Sequence, residues 1–164
     1  MSLPTIYIAT DHSGFELKEI LREFLSSELG YTVEDCGAVS LDSTDDYPDF
    51  VHAAAAAVAE DPGTRRGIVI GASGQGEAMV ANRYAGVRAA VYYGAPAKEQ
   101  TDATGATLDM IESTRQHNDA NVLSLGARFL EITAAKEAVR KWLETSFTAE
   151  ERHVRRIQKI EETQ

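Results

Sequence analysis

The feature that most restricts this chain is the run Gly67 to Ile70 (GIVI), which has no polar alternation and leads straight into the turn Gly71 to Gly76 (GASGQG). A strand that is apolar on both sides must be covered on both sides, and such strands sit in parallel sheets between layers of helix. The glycine-rich turn then opens a helical stretch through Asn82, giving a strand, a turn and a helix in succession. The same alternation recurs along the chain. Thr5 to Thr10 (TIYIAT) reads as a strand that stops at Asp11-His12-Ser13-Gly14, and Phe15, Leu17, Ile20, Leu21, Phe24 and Leu25 follow at helical spacing up to Gly30.

Tyr31 to Asp35 is a second β-rich run, and the alanine-dense stretch from Pro48 to Glu60 predicts a helix packed close to a flat surface. Arg88 to Tyr92 and Asn121 to Leu125 supply two further strands. Thr133 to Leu143 and Glu150 to Glu162 supply helices with apolar stripes. Gly94 to Thr114, polar and rich in Thr, Asp and Ala, shows no readable period. Five strands interleaved with helices predict an α/β protein, a parallel sheet with helices on both faces and a C-terminal helical extension, in a single domain over residues 1–164. Ligands of such sheets bind beyond the carboxyl ends of the strands. The polar residues that stand out are expected there: Asp11 and His12, Gly71 to Glu77, and the stretch ending at His117-Asn118 between the fourth and fifth strands.

Composition narrows the function. With 43% hydrophobic and 26% charged residues there is material for a core and no case for disorder. Sixteen basic against 26 acidic residues leave a formal charge of −10, a field that argues against nucleic acid or an anionic membrane as partner. A phosphate-bearing ligand must therefore meet a local basic cluster. The single cysteine, Cys36, excludes an internal disulfide framework and suits a reducing compartment. The opening MSLPTIYIATDHSGF has no basic segment followed by a long apolar one, and no apolar run approaches the ~20 residues that span a bilayer, so a cytoplasmic location is expected.

The candidate groups each have an ordinary alternative. The G-x-x-G-x-G turn can crowd backbone N–H groups around an anion, or can need glycine only for its dihedrals. It is neither a dinucleotide fingerprint nor a Walker loop. Glu77 is either a helix-start carboxylate stabilised by the macrodipole or, in a water-poor pocket, a proton-transfer base. Asp11 either caps the following helix or acts as a phosphoacceptor, though the D-x-D pattern is absent. His12, His52, His117 and His153 show no close-spaced ligand pattern, so no metal is assigned, and His52 in its alanine-rich helix reads as structural. Arg152 and Arg156 stand four apart, either a solvated face or a fork for a phosphate.

Taken together, IYIATDHSGFELK, DSTDDYPDF, GIVIGASGQGEAMVANRYAGVRAA, RQHNDANVLSLGAR and ERHVRRI resemble the ribose 5-phosphate isomerase B family, the sugar-phosphate isomerases that include the galactose 6-phosphate isomerase subunits. The likeness runs from Thr5 to Ile160. It implies a Rossmann-like three-layer α/β/α sandwich with a five-stranded parallel sheet, aldose-ketose isomerisation of a phosphosugar with no metal or organic cofactor, and a homodimer, or a dimer of dimers, that completes its sites. Some family members use a cysteine where this chain has Gly71, and others a glutamate at the position of Glu77; this chain falls with the second group. By position, the resemblance makes Glu77 the base that moves a proton between C2 and C1 through a cis-enediolate, with the Gly71, Ala72, Gly74, Gln75 and Gly76 backbone around the oxyanion and Ser73 on a sugar oxygen. Asp11 and His117 match ring-opening residues and Asn118 a residue holding the open chain. His12, Arg128, Arg152 and Arg156 match phosphate-binding positions, and Tyr47 a tyrosine lining the site. Between Tyr93 and Arg115 this chain is longer than the family pattern by roughly a dozen residues.

Overall fold

The computed structural model describes residues 3–162; the two residues at each end of the expected 1–164 domain lie outside the described residues. The strands are β1 (Thr5–Thr10), β2 (Val33–Asp35), β3 (Arg65–Gly71), β4 (Ala89–Tyr92) and β5 (Val122–Gly126). The helices are α1 (Phe15–Glu23), continued by a wider π turn over Phe24–Glu28, then α2 (Tyr47–Glu60), α3 (Gln75–Ala81), α4 (Met110–Asn118), α5 (Ile132–Glu144) and α6 (Glu151–Glu161). All pairings are parallel and the order is β2-β1-β3-β5-β4, so β3 runs through the centre with β1 and β5 beside it.

The two-sided apolar character of β3 has the cause its sequence implies. Ile68 and Ile70 join Ile6, Ile8, Leu123 and Leu125 under α1, α4 and α5, with Trp142 fully buried among them. Val69 points the other way and joins Ala9, Val122 and the α2 residues Val51, Ala54, Ala55 and Val58. The small alanines let α2 lie close to the sheet. α6 stands outside both layers, packed on α4 and tied at its far end by Glu161, which accepts from the Gly86 N–H at 3.0 Å and from Arg88 at 3.3 Å.

Sequence and structure part at α4. The region Gly94 to Thr114 shows no period, yet Met110–Asn118 is a helix: only Ile111 and Arg115 turn inward, and two residues make too short a stripe to stand out. Its start does carry a signal: Asp109 accepts from the N–H groups of Ile111 and Glu112 at 2.9 and 3.0 Å, with Glu112 three residues on, as in a capping box. Residues 95–109 form a loop closed by a bridge between Thr101 and Thr107 and by a turn on Asp102.

One buried cation organises the sheet's edge. The Lys18 side chain is wholly inaccessible, and its ammonium donates to Asp35 at 2.5 Å and to the Ala38 carbonyl at 2.9 Å. Asp35 also accepts from the Gly37 N–H at 2.9 Å, so this lysine fixes where the chain leaves β2 for the long loop ahead of α2. Asp35 reaches solvent and keeps the Gly37 N–H, so loss of the ammonium chiefly leaves the buried Ala38 carbonyl without this donor, at a cost of about 1–3 kcal/mol. Lys18→Met is expected to lose that much stability in a denaturant titration.

Candidate active site

The site begins with an absence of side chain. A Cβ placed on Gly71 would lie 1.8 Å from Glu77 Oε1 and 2.1 Å from its carboxyl carbon, so only glycine at the end of β3 lets the Glu77 carboxylate settle there. The turn that returns Glu77 to this point is held from β5. Ser124 donates to the Gly74 carbonyl at 2.5 Å, and the N–H groups of Ala127 and Arg128 donate to the carbonyls of Gly71 and Ala72 at 2.8 and 3.1 Å. Gly74 takes the left-handed conformation at φ 76°, which starts α3 without strain. Ser73 Oγ faces the Gln75 N–H at 3.4 Å, and the Tyr47 ring lies against Gly76, 2.7 Å from where a Cβ would stand.

Glu77 is 5% exposed. Burial pushes its carboxyl above the ordinary value, its own N–H works against this, and the nearby Asp11 carboxylate adds to the rise. Asp11, at the end of β1, makes the cap that the sequence allows: its Oδ1 accepts from the Ser13 N–H at 2.9 Å and the Ser13 hydroxyl at 2.5 Å, capping the short turn His12–Gly14. His12 Nδ1 stands 2.6 Å from Asp45 Oδ1, which also accepts the His12 N–H at 3.0 Å. That hydrogen bond raises the His12 pKa, burial opposes it, Asp11 and the charge of Asp45 reinforce it, and Arg128 lowers it. Arg128, exposed just beyond β5, therefore shares this end of the sheet with His12.

Asp45 escaped the sequence reading. It sits in an acidic loop, DSTDDY, where nothing distinguishes one carboxylate from the next; only the fold shows that Asp45 folds back on His12 and that its Oδ2 is buried without a partner. Asp11, His12 and Asp45 approach one another closely enough to suggest a cation site, but the His12 and Asp45 atoms involved are already engaged with each other.

The remaining predicted residues lie elsewhere, which corrects the grouping of His117-Asn118 with the carboxyl ends of the strands. α4 runs back against the strand direction, and His117 occupies its last turn, before β5 begins. The Asn118 carbonyl accepts from Arg88 Nε at 3.0 Å, and Arg88 precedes β4, so both belong to the amino end of the sheet. The length of β5 separates them from Gly71, about 13 Å at 3.3 Å per residue. His117 stacks on His153 of α6, ring centroids 4.5 Å apart. Arg152 and Arg156 belong to the same helix, Arg152 carrying a bond to Glu150 at 2.8 Å and Arg156 exposed. One chain thus presents two groups of candidate residues, at opposite ends of one sheet. His52 is not a core residue: it is exposed and bonds Tyr84 at 2.9 Å.

The chain has close relatives among known proteins. The profile of the Ribose/Galactose Isomerase family matches residues 6–160. Over 157 residues it is 37% identical to ribose-5-phosphate isomerase B of Mycobacterium tuberculosis, covering 96% of this chain and 88% of that protein. The crystal structure of ribose-5-phosphate isomerase B from Mycoplasma genitalium with bound ribulose-5-phosphate is similar at a TM-score of 0.83 and 36% identity, covering 98% of this chain and 95% of the other. The Thermotoga maritima enzyme of the same name gives 0.82 and 36%, over 98% and 99%.

Burial of Glu77 has a signed consequence for stability. Because the folded carboxyl titrates above its ordinary value of 4.5, its ionised form opposes folding, and this cost is absent below that value and complete once pH exceeds the raised one. Glu77→Gln is therefore expected to melt higher than the wild type at neutral pH, with the difference vanishing as the pH falls below 4.5, as read by calorimetry across pH.

Proposed function

Because the chain belongs to the ribose/galactose isomerase family, we propose that it interconverts ribose 5-phosphate and ribulose 5-phosphate, with Glu77 as the base. The observation that carries the assignment of Glu77 is its carboxylate at the bare end of β3, buried, with its pKa raised. A base that must take a proton from C2 and return it to C1 works best when its pKa lies near the working pH, and burial moves Glu77 in that direction. Removal of the C2 proton from the open-chain aldose leaves a cis-enediolate. Protonation at C1, with transfer of the O2 proton to O1 as the C2 carbonyl forms, gives the ketose. The Gly71 to Gly76 backbone and Ser73 face the developing oxyanion in this reading, and Tyr47 covers the pocket from α2.

Ribose 5-phosphate is mostly a closed furanose, so ring opening precedes this step. A proton must reach the ring oxygen as its bond to C1 breaks, and the anomeric hydroxyl must lose one as the C1 carbonyl forms. His117 and Asp11 are the groups we assign to this exchange, with Asn118 on the open chain. They stand at opposite ends of one sheet, so the site is proposed to form between two copies of the chain, His117, Asn118, Arg152 and Arg156 of one facing Glu77, Asp11, His12, Tyr47 and Arg128 of the other. His12, kept protonated to higher pH by Asp45, and the three arginines would hold the phosphate. No metal or organic cofactor enters any step, and the lone half-buried thiol of Cys36 suits a cytoplasmic enzyme. Among the described residues no helix is long and apolar enough to cross a membrane.

Purified protein is expected to convert ribose 5-phosphate to ribulose 5-phosphate, and Glu77→Gln to lose at least about 100-fold in kcat with KM changed little, since the amide keeps the shape and lacks the base. Binding of the phosphosugar without any exchange of its C2 proton in deuterated water would instead identify a non-catalytic binding domain. The shared site has its own test. Glu77→Gln and His117→Asn homodimers should each be nearly inactive, while mixing them under conditions of subunit exchange should restore about a quarter of wild-type activity, because half the dimers then carry one intact site. No recovery in dimers shown to have exchanged would mean that each chain works alone.

A further inference from the structure

α6 is charged and mostly exposed, and among the described residues its one buried side chain is a histidine, not an aliphatic residue. His153 is 4% exposed and its ring lies flat on His117, 4.5 Å away and within 8° of parallel. The structure around the pair is tight. Thr148 donates its N–H and its hydroxyl to the Gln116 carbonyl at 3.3 and 2.8 Å, and Arg115 Nε donates to the Thr145 carbonyl at 3.3 Å, so the segment joining α5 to α6 is closed over the last turn of α4. His153 Nε2 is buried with no hydrogen-bond partner; the nearest acid is Glu150, 3.9 Å away.

A buried imidazole nitrogen without a partner is costly, and a chain that needed only aliphatic packing here would do better with leucine. What the imidazole offers is a flat face to set against the ring upon it. Burial pushes the His153 pKa down, the facing His117 and the neighbouring Arg152 and Arg156 push it further, and Glu150 opposes them. All of these but Glu150 favour the uncharged form of the ring beneath His117. A neutral π-face accepts an imidazolium above it, whereas a second positive charge at this distance would repel one.

We infer that His153 is a positioning residue for ring opening: it holds the His117 ring in one plane, leaving the ring edge, where the nitrogens are, turned to the sugar. The inference rests on the assignment of His117 to ring opening. His153 itself touches no reacting atom. It is distinct from the phosphate fork because Arg152 and Arg156, on either side of it, point their charge outward while His153 turns in.

The test separates ring opening from proton transfer. Turnover of ribose 5-phosphate needs both, whereas exchange of the C1 proton of ribulose 5-phosphate with deuterated water needs only the second, since its C5 oxygen is esterified and no ring forms. In the full-length protein His153→Ala is expected to lower kcat on ribose 5-phosphate about tenfold, with KM within about twofold and exchange into ribulose 5-phosphate retained. His153→Phe, which keeps a flat ring, is expected to recover turnover to within about threefold of wild type. The inference fails if His153→Ala turns over ribose 5-phosphate like the wild type, if it loses both reactions in proportion, or if phenylalanine does no better than alanine. His117→Ala, assayed alongside, should show the alanine pattern more strongly; if it keeps full turnover, the assignment of His117 itself is wrong, a result distinguishable from failure at His153 alone.

Discussion

The rest of the site depends on one exclusion of volume: the Glu77 carboxylate occupies the space that any side chain on residue 71 would need. From it follow the burial of the carboxylate, its raised pKa and its place at the end of the central strand. It also gives a geometric reason for the division that the resemblance implies, between family members with a cysteine at the position of Gly71 and those with a glutamate at that of Glu77. The two side chains compete for one point above β3. A chain can place one base there, and where it places the glutamate the other position is reduced to glycine.

A parallel sheet makes the second requirement. In β-α-β units the helix returns against the strands, so a residue at a helix C-terminus, such as His117, emerges at the opposite end from one that follows a strand, such as Glu77. No adjustment of loops within a single copy brings them together across the length of β5. Catalysis that needs both ends therefore calls for a second copy, and the same topology that holds Glu77 rigidly makes the single chain incomplete as proposed. α6 then has a role beyond an appendage, because it carries Arg152 and Arg156 and is seated on His117 through His153.

Much of this was legible in residues and some of it was not. GIVI announced a strand covered on both faces, and the helices followed from stripes such as Leu17 and Leu21 in α1 or Val139 and Trp142 in α5, because burial at sheet faces imposes a period that the sequence must carry. α4 lacks such a stripe, since it lies at the margin with two inward residues, and only its Asp109 cap betrays it. Glu77 and Asp11 can be singled out as candidates because strand ends are privileged positions, and the lone polar Ser124 in an apolar strand could have been read as an anchor for the glycine turn. Asp45 and the stacking of His153 could not be read. Each is defined by a partner 33 or more residues away, and a contact at that distance in sequence leaves no mark on composition or spacing.

Three carboxylates stand in a site proposed for a phosphorylated sugar, in a chain of formal charge −10, and each is accounted for differently. Asp45 is spent on His12, and the pair together contributes no net charge while His12 is protonated. Asp11 is turned to the Ser13 N–H and hydroxyl, whose dipoles offset it locally. Glu77 is pushed toward its neutral form, so an approaching anion meets less negative charge here than the residue count suggests. The acidic remainder of the surface acts through water and falls off over about 8 Å at physiological ionic strength, whereas Arg128 and the proposed partner's arginines act at contact. The formal charge that excludes polyanions thus leaves room for a small anion, while burial first, and the Asp11 charge after it, raises the pKa of the carboxylate proposed as the base.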